Sequence, residues 1–223
     1  MAVLRAIAHG QTRNNDIGQR TKLAPANVTK VLSSLERLGL VERLQPVTAS
    51  ARSTKTAYAI CDQFLRLHYR FVEPARSQLR TRALASAYLT GAVLPQLDHH
   101  TSIAWEEISR QYVLRHLPGV SVIGRWWGQI PSGEGRRTEE REIDVVGVDQ
   151  HRKPVVFGMC KWTGGEVDFD ELNLLDRVAA RVEGATGQEP RFLFSRKGFT
   201  KRLAAHAAAE KNIHLIEPRD IYK

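Results

Sequence analysis

From Pro95 to the C-terminus, short apolar runs alternate with stretches of helical periodicity, and this alternation constrains the fold more than any other feature. Strands must pair to satisfy their backbone groups, and helices between them cover the sheet. We therefore expect a three-layer α/β sandwich. The predicted order is helix 103–117, strands 120–127, 142–147 and 155–162, helix 171–181, strand 191–195, helix 200–210 and strand 213–216.

The first 60 residues predict a different architecture, with three short helices followed by two strands. Asn14 and Asn15 are suited to cap the second helix. Pro25 suits the first turn of the third helix, and Gly39 can adopt the left-handed conformation that ends it. With strands at 40–44 and 56–60 and a basic loop between them, the pattern indicates a winged helix-turn-helix.

Polar and basic side chains line the outer face of this third helix, and these types bond to phosphates and base edges. We expect the helix to enter the major groove of DNA and the basic loop to follow the backbone. The alternative is a winged helix that acts as an interdomain lid or a protein-docking surface. The predicted nucleic-acid-binding residues are Asn27, Thr29, Lys30, Ser33 and Arg37 on the helix, with Arg52 and Lys55 in the loop.

The formal net charge of +9 is concentrated in the N-terminal third. Residues 1–85 carry 14 Lys+Arg and 5 Asp+Glu, whereas residues 86–223 carry 19 of each. A basic module beside a neutral one favours a polyanion as the partner of the first, because lysines and arginines that neutralise phosphates release counterions. The alternative is a basic face that serves solubility alone.

Residues 61–95 predict a helical connector between a first domain (1–60) and a second domain (96–223). Phe64, Leu67, His68 and Phe71 recur at helical spacing, which predicts one buried face. The alternative is that these aromatic residues, with the arginines at 76, 80 and 82, stack on and pair with single-stranded nucleic acid.

The chemistry of the second domain is predicted on two neighbouring strands. Side chains alternate across a strand, so Glu142, Asp144 and Val146 are expected on one face, and Met159 and Lys161 on one face of the neighbour. Asp144 and Lys161 would then converge. Such a pair, with a further carboxylate, can hold Mg²⁺ or Mn²⁺ against a scissile phosphate while the lysine stabilises developing charge.

The stretch from Glu142 to Val146, followed by Gly158-Met159-Cys160-Lys161-Trp162, resembles the PD-(D/E)XK nuclease motif. It is similar to the form found in the C-terminal region of a family of prokaryotic AAA-class ATPases that carries a domain of unknown function, where the third strand reads Gly-Glu-Cys-Lys-Trp. Residues 6–10 and 62–72 resemble that family too. The resemblance implies a restriction-endonuclease-like second domain, with Asp144 and Lys161 as catalytic residues and Glu106 as the helical glutamate that helps Asp144 to bind metal.

Two departures from that family matter. The phosphate-binding loop G-x-x-x-x-G-K-[ST] is absent, so no ATP hydrolysis is expected from this chain, which looks like the tail of such an ATPase or a separately encoded counterpart. Met159 replaces the second metal-binding carboxylate, and a thioether is a poor magnesium ligand. Glu106 or Glu107 can complete the site if their helix covers the second strand, and otherwise they form a solvated face. Glu171 is the remaining candidate to replace the lost carboxylate.

The sequence thus predicts a DNA-binding accessory protein with a degenerate nuclease-like domain. Two alternatives stay open: an active Mg²⁺- or Mn²⁺-dependent endonuclease, and a protein-interaction module that docks on a partner ATPase. No apolar run is long enough for a bilayer and the N-terminus lacks the features of a signal peptide, which predicts a cytoplasmic location. Cys61 and Cys160 are expected to be reduced, with Cys160 as a small buried residue on the strand face opposite Lys161.

Overall fold

The structure is a computed structural model that describes residues 1–50, 53–132 and 137–222. The chain divides into two compact units. The first comprises Met1–Gln45 with Arg52–His100, and the second comprises Pro46–Ala51 with Thr101–Lys223. The residues predicted as a connector, 61–95, therefore belong to the first unit.

The first unit begins with the three helices and the strand pair that the sequence predicts. They are α1 (Ala2–Ala8), α2 (Asn14–Thr21), α3 (Pro25–Arg37), β1 (Val41–Leu44) and β2 (Ala57–Ile60), and the two strands are antiparallel. Each helix is too short to be stable alone in water, so tertiary packing must hold it. The shared core is formed by Val3, Leu4, Ala6, Ile7, Ala8, Ile17, Val28, Leu32, Val41, Ile60 and Tyr69.

Local sequence explains both ends of α3. Pro25 occupies the first turn, where its missing N–H costs nothing, and Gly39 adopts φ 69°, the left-handed conformation that stops the helix. The prediction that Asn14 and Asn15 cap α2 is wrong. Arg13 is the N-cap residue, and the Asn14 side chain instead donates a hydrogen bond to the Thr29 hydroxyl (3.0 Å).

Beyond the strand pair the chain is helical, with two π-helical turns. The elements are α4 (Gln63–Leu67), a π-turn (His68–Val72), α5 (Arg82–Tyr88), a second π-turn (Leu89–Val93) and α6 (Leu94–His116). Asp62 caps α4 by accepting from the Leu65 N–H, and Thr81 caps α5 by accepting from the Leu84 N–H.

The predicted buried face of this segment is wrong at Phe64, whose exposed fraction is 70%. Tyr69 and Phe71 are buried, and Arg66 is buried with its guanidinium donating to the His100 carbonyl. The physical reason is the π-turn at His68–Val72, which has more residues per turn than an α-helix and therefore shifts the phase of the side chains. A prediction based on a 3.6-residue period therefore fails across this π-turn.

The second unit contains a five-stranded sheet in the order β3-β4-β5-β6-β7. Its strands are β3 (Val122–Pro131), β4 (Thr138–Val148), β5 (Pro154–Lys161), β6 (Arg191–Ser195) and β7 (Ile213–Ile216). The first three are antiparallel neighbours, and β5, β6 and β7 are parallel. Parallel neighbours need crossovers, which α7 (Phe169–Ala179) and α8 (Lys201–Ala209) provide.

Helices cover both faces of this sheet. On one face, Leu172 and Leu175 of α7 and Leu203 of α8 pack in a cluster with Phe157 and Leu193. On the other face, Trp105 and Val113 of α6 pack with Val145, Val156 and Phe194. The unit is therefore a layered α/β domain, as the alternation of elements predicts.

Residues 46–50, which lie between β1 and β2 in sequence, pack within the second unit. Val47 is buried in the cluster that includes Leu172, and its N–H donates to the Arg125 carbonyl (2.8 Å). Arg152 donates to the carbonyls of Val47 (2.7 Å) and Ala49 (3.1 Å). This part of the predicted wing loop therefore has a packing role, although Val47 is its one branched apolar residue.

None of the described helices combines the length and the apolar character that crossing a membrane requires.

Candidate functional site

The outward face of α3 is the first candidate site. Val28 and Leu32 are buried and hold the helix to the core of the first unit. Because residues at i, i+3 and i+7 share a helix face, Lys30, Ser33 and Arg37 fall together on the opposite side. All five predicted α3 residues are exposed: Asn27, Thr29, Lys30, Ser33 and Arg37.

Few of these side chains are engaged within the protein. The Thr29 hydroxyl donates to the Pro25 carbonyl and accepts from Asn14, which fixes its orientation. Arg37 reaches the Ser34 hydroxyl at 3.5 Å, the limit of a hydrogen bond. The outward face of α3 is therefore exposed and polar at its side-chain tips.

The predicted loop residues have separate outcomes. Lys55 is exposed, and its backbone N–H donates to the Ser53 hydroxyl (3.2 Å). Arg43 of β1 donates to the Thr56 hydroxyl (3.3 Å), so a second cation lies close to the base of this loop. Arg52 lies outside the described residues.

The second candidate site lies in the second unit, around Asp144 on β4. Between the pairs Gly124↔Val146 and Trp126↔Ile143, two residues of β4 oppose only Arg125 of β3, which is a β-bulge. The bulge breaks the strict alternation predicted for this strand: Ile143 and Val146 both contribute to the same core cluster, although three positions apart. The prediction that Val146 shares a face with Glu142 and Asp144 is therefore wrong, whereas Glu142 and Asp144 stay close enough for the charge of Glu142 to raise the pKa of Asp144.

Asp144 is buried and joined to the neighbouring strand through its side chain. Backbone pairing between β4 and β5 runs from Val148 to Val145. One residue further along, Asp144 Oδ2 accepts a hydrogen bond from the Cys160 N–H (2.8 Å), and the Asp144 carbonyl accepts one from Arg110 of α6 (2.9 Å). Because the Asp144 carboxylate accepts a hydrogen bond from the backbone of the neighbouring strand, its position is fixed. One of its two oxygens therefore already has a hydrogen-bond partner.

Glu106 of α6 approaches the same place. Its Oε2 atom lies 2.6 Å from Arg125 Nη2 and 3.9 Å from Arg110 Nη1. This oxygen is buried, and the contacts are ion pairs rather than well-aligned hydrogen bonds. Glu107, the alternative that the sequence left open, is half exposed, and its ion-pair partner is Arg110 (2.9 Å).

Burial and neighbouring carboxylates, including Glu142, raise the pKa of both Glu106 and Asp144. Burial raises the pKa of Glu106 to about 7, and the negative charge of Asp144 adds to the increase while Arg125 opposes it. Burial also raises the pKa of Asp144 to about 6, although the Cys160 N–H, and to a smaller extent Arg125 and Lys161, lower that pKa. Raised carboxyl pKa values are typical of clustered sites and also of buried structural networks.

Lys161 is placed at the end of β5, and its ammonium pairs with Glu171 of α7 (3.0 Å). Asp144, which the sequence offered as its structural partner, is not in that ion pair. Glu171 is the carboxylate that the sequence proposed as a replacement for the one lost at position 159. Met159 itself is buried in the apolar cluster with Phe157 and Leu172.

These residues do not fit a hard divalent cation. Such a cation needs several oxygen ligands, whereas one oxygen of Asp144 accepts from Cys160, one oxygen of Glu106 faces Arg125, and Glu171 is paired with Lys161. Within the part of the chain that the structure describes, no group of three or more His, Cys, Asp and Glu side chains is arranged to hold a metal. The carboxylates of Glu106 and Glu171 are instead paired with cationic side chains of the protein itself.

The arginines of this site were not predicted from the sequence. Arg110 follows Glu106 by four residues, a spacing that places both on one face of a helix and could have revealed the pair. Arg125 interrupts the apolar strand run Val122-Ile123-Gly124, and a cation inside such a run needs a partner. Cys160 lies on the expected face, where it packs against the cluster with Trp105, but it is partly rather than fully buried, and burial raises the pKa of its thiol.

Comparison with known protein families finds two matches along the chain. Residues 1–45 match the IclR helix-turn-helix domain. Residues 68–173 match the DUF234 family, described as archaeal and bacterial proteins of unknown function. The chain therefore carries a helix-turn-helix domain of a DNA-binding type, followed by a region similar to DUF234. The matches bear on neither a PD-(D/E)XK nuclease nor an AAA-class ATPase.

The individual relatives are distant. The chain is 24% identical over 166 residues to "Uncharacterized protein MJECL04" of Methanocaldococcus jannaschii, covering 72% of this chain and 35% of that protein. It thus spans about a third of the length of this curated relative. Protein VC1899 from Vibrio cholerae aligns structurally with 17% identity, over 99% of this chain and 47% of the other, but its TM-score of 0.39 is too low to establish a common fold.

Proposed function

We propose that this protein is a DNA-binding accessory protein whose N-terminal winged helix-turn-helix contacts duplex DNA through α3, and whose second domain is a degenerate restriction-endonuclease-like fold. The observation that carries the first part is the outward face of α3. Its polar and basic side chains are exposed while Val28 and Leu32 anchor the helix from the other side. The match of residues 1–45 to the IclR helix-turn-helix domain supports the same assignment.

Charge supports duplex DNA as the partner of this face. The excess of cations lies within residues 1–85, and Lys30 and Arg37 are available to phosphates. Phosphate contacts provide affinity and register, whereas Asn27 and Ser33 offer amide and hydroxyl groups that can reach base edges.

The direct test is duplex binding by the full chain and by the double variant Lys30→Gln/Arg37→Gln. Loss of two phosphate-binding cations should weaken binding roughly 10-fold or more at low salt. Lys201→Gln/Arg202→Gln is the matched control, because it removes two exposed cations from α8 in the second unit. Fluorescence anisotropy with a labelled duplex measures both. Equal affinities for the wild type and the α3 variant would refute the proposed interface.

The second part of the proposal is that the nuclease-like second domain does not cleave DNA, and Met159 and Arg125 support it. A thioether lies in an apolar cluster where the resembling family has a carboxylate, and a guanidinium faces Glu106. Lys161 is paired with Glu171 rather than left to stabilise a phosphate. The layered α/β domain, with its bulged strand at Asp144, is compatible with a nuclease ancestry.

Plasmid nicking with Mn²⁺ separates a degenerate domain from the alternative of an active endonuclease. We expect no nicking by the wild type. Met159→Glu restores the missing carboxylate and is the variant in which activity would reappear if that is the main defect. Wild-type nicking that Asp144→Ala abolishes would establish an active enzyme and refute degeneracy. Circular dichroism of each variant shows whether it is folded.

A partner protein is the second candidate, and the helical segment after α4 favours it. No residue of α5 or of the π-turn that follows is buried, and Leu84, Leu89 and Leu94 are each about half exposed. Several exposed leucines along one helical segment favour an interaction surface. A partner ATPase is the occupant that the resemblance of the sequence predicts, and failure of the wild type to bind any duplex would favour this candidate.

A further inference from the structure

The carboxylates of Glu106 and Asp144 already have a cation beside them, and that cation is a side chain of the protein. Arg125 Nη2 lies 2.6 Å from Glu106 Oε2, and the charge of Arg125 also lowers the pKa of Asp144. We propose that Arg125 is a built-in counterion that excludes divalent cations from this carboxylate pair. The proposal rests on the proposed function, in which the second domain has a nuclease-like fold that does not cut.

The backbone explains why Arg125 reaches this place. It is the single β3 residue opposite the two bulged residues of β4, one of which is Asp144. A bulge re-aims side chains locally, and here it brings the aspartate and the arginine of neighbouring strands to one point at which Glu106 of α6 arrives from the helical layer. Three elements, β3, β4 and α6, therefore bring one guanidinium and two carboxyl groups to the same place.

Arg110 does not serve the same role, although it lies close. Its guanidinium donates to the Asp144 carbonyl (2.9 Å) and to Glu107 (3.0 Å), and it is 3.9 Å from Glu106. Its hydrogen bonds thus fasten α6 to β4 through the backbone. Arg125 is the cation in direct contact with the Glu106 carboxylate, which makes it the residue that a divalent cation would have to displace.

Displacement of Arg125 is unfavourable for a physical reason. The side chains of Arg125 and Glu106 are largely buried, so breaking their ion pair leaves a poorly solvated, uncompensated charge. An incoming cation would also find one oxygen of Asp144 bonded to the Cys160 N–H and a thioether at position 159. A bound guanidinium that is part of the chain has no association entropy to overcome, whereas a free ion does.

The experiment measures Mn²⁺ binding to the full chain by the loss of the free Mn²⁺ signal in electron paramagnetic resonance. We expect no saturable binding to the wild type. Arg125→Gln removes the charge and retains a polar side chain, so the freed carboxylates should bind Mn²⁺ weakly but saturably. Arg125→Lys keeps a cation and should stay without Mn²⁺ binding.

Arg141→Gln is the matched control, because it removes an arginine of β4 that pairs with Glu139, away from the carboxylate pair. It should behave as the wild type. If Arg125→Gln does not fold in metal-free buffer, its folding is followed on addition of Mn²⁺. Folding restored by Mn²⁺ supports the proposal, and a chain that stays unfolded with Mn²⁺ counts against it.

The outcomes separate this inference from the proposed function. A folded Arg125→Gln chain that binds no Mn²⁺ overturns the role of Arg125 and leaves the degenerate fold standing. If the wild type binds Mn²⁺ as well as Arg125→Gln does, the claim that Arg125 excludes divalent cations is refuted. The claim that the second domain is a degenerate nuclease is refuted as well only if the wild type also nicks plasmid. Loss of salt-dependent duplex binding would refute the helix-turn-helix interface without affecting the Mn²⁺ result.

Discussion

At the scale of single residues, the least expected feature is a set of buried charges in the second unit. Asp144 is buried and Glu106 is largely buried, and each depends on groups that no sequence motif announces: Arg125 for Glu106 and the Cys160 N–H for Asp144. Asp144 and Lys161 could be selected from the sequence because strand alternation and a resemblance single them out. Arg125 could not, since its role depends on a bulge in the neighbouring strand.

The raised pKa of Glu106 makes stability depend on pH. Between its ordinary pKa of 4.5 and about 7, the folded chain holds a proton that the unfolded chain has lost. The stability that this protonated group provides is therefore complete below about pH 4.5 and decreases as the pH rises towards 7. In Glu106→Gln, the fall in the free energy of unfolding over this pH range should be smaller by roughly 2 kcal/mol.

Thermal unfolding of the full chain between about pH 5 and pH 8 measures this effect. Glu107→Gln is the control, because the neighbouring carboxylate is half exposed and paired at the surface. A pH profile of Glu106→Gln that matches the wild type would show that the Glu106 proton does not contribute.

At the scale of elements, regular segments follow their local sequence and irregular ones do not. The limits of α3 follow from Pro25 and Gly39, and the seven strands lie close to their predicted positions within the described residues. The π-turn at His68–Val72 shifts the phase of the connector, so the periodicity that predicts a buried Phe64 fails there. The β4 bulge has the same effect on a strand. Insertions of this kind depend on tertiary packing, which a local pattern does not record.

The packing of α3 can be tested through its buried side. Leu32 is fully buried against the other helices, so Leu32→Ala should destabilise the first unit by about 2–5 kcal/mol through lost contacts and a cavity. Hydrogen exchange of the α1 to α3 amides in the full chain measures this locally. Ser33→Ala, on the exposed side of the same helix, should change exchange by less than about 0.5 kcal/mol. Equal effects of the two substitutions would contradict the assigned faces.

At the scale of the whole molecule, the sequence distinguishes a basic N-terminal part from a neutral α/β part, and the structure contains both. It does not show that residues 46–50, within the predicted wing, pack in the second unit through Val47. Val47 is the one branched apolar residue of this stretch, and a single such residue has no periodic pattern that reveals the contact. The function therefore rests on different grounds in the two units: an exposed helix face with a family match in the first, and a buried charge network in the second.

The central claim is that the exposed face of α3 binds duplex DNA through phosphate contacts, and the salt dependence of binding tests it most directly. A labelled duplex is titrated with the full chain between roughly 50 and 200 mM salt. We predict a steep linear fall of log K with log salt, with a slope that becomes shallower by about 2 in Lys30→Gln/Arg37→Gln and stays unchanged in Lys201→Gln/Arg202→Gln. Binding that is insensitive to salt, or a slope that the α3 variant does not alter, would contradict the account.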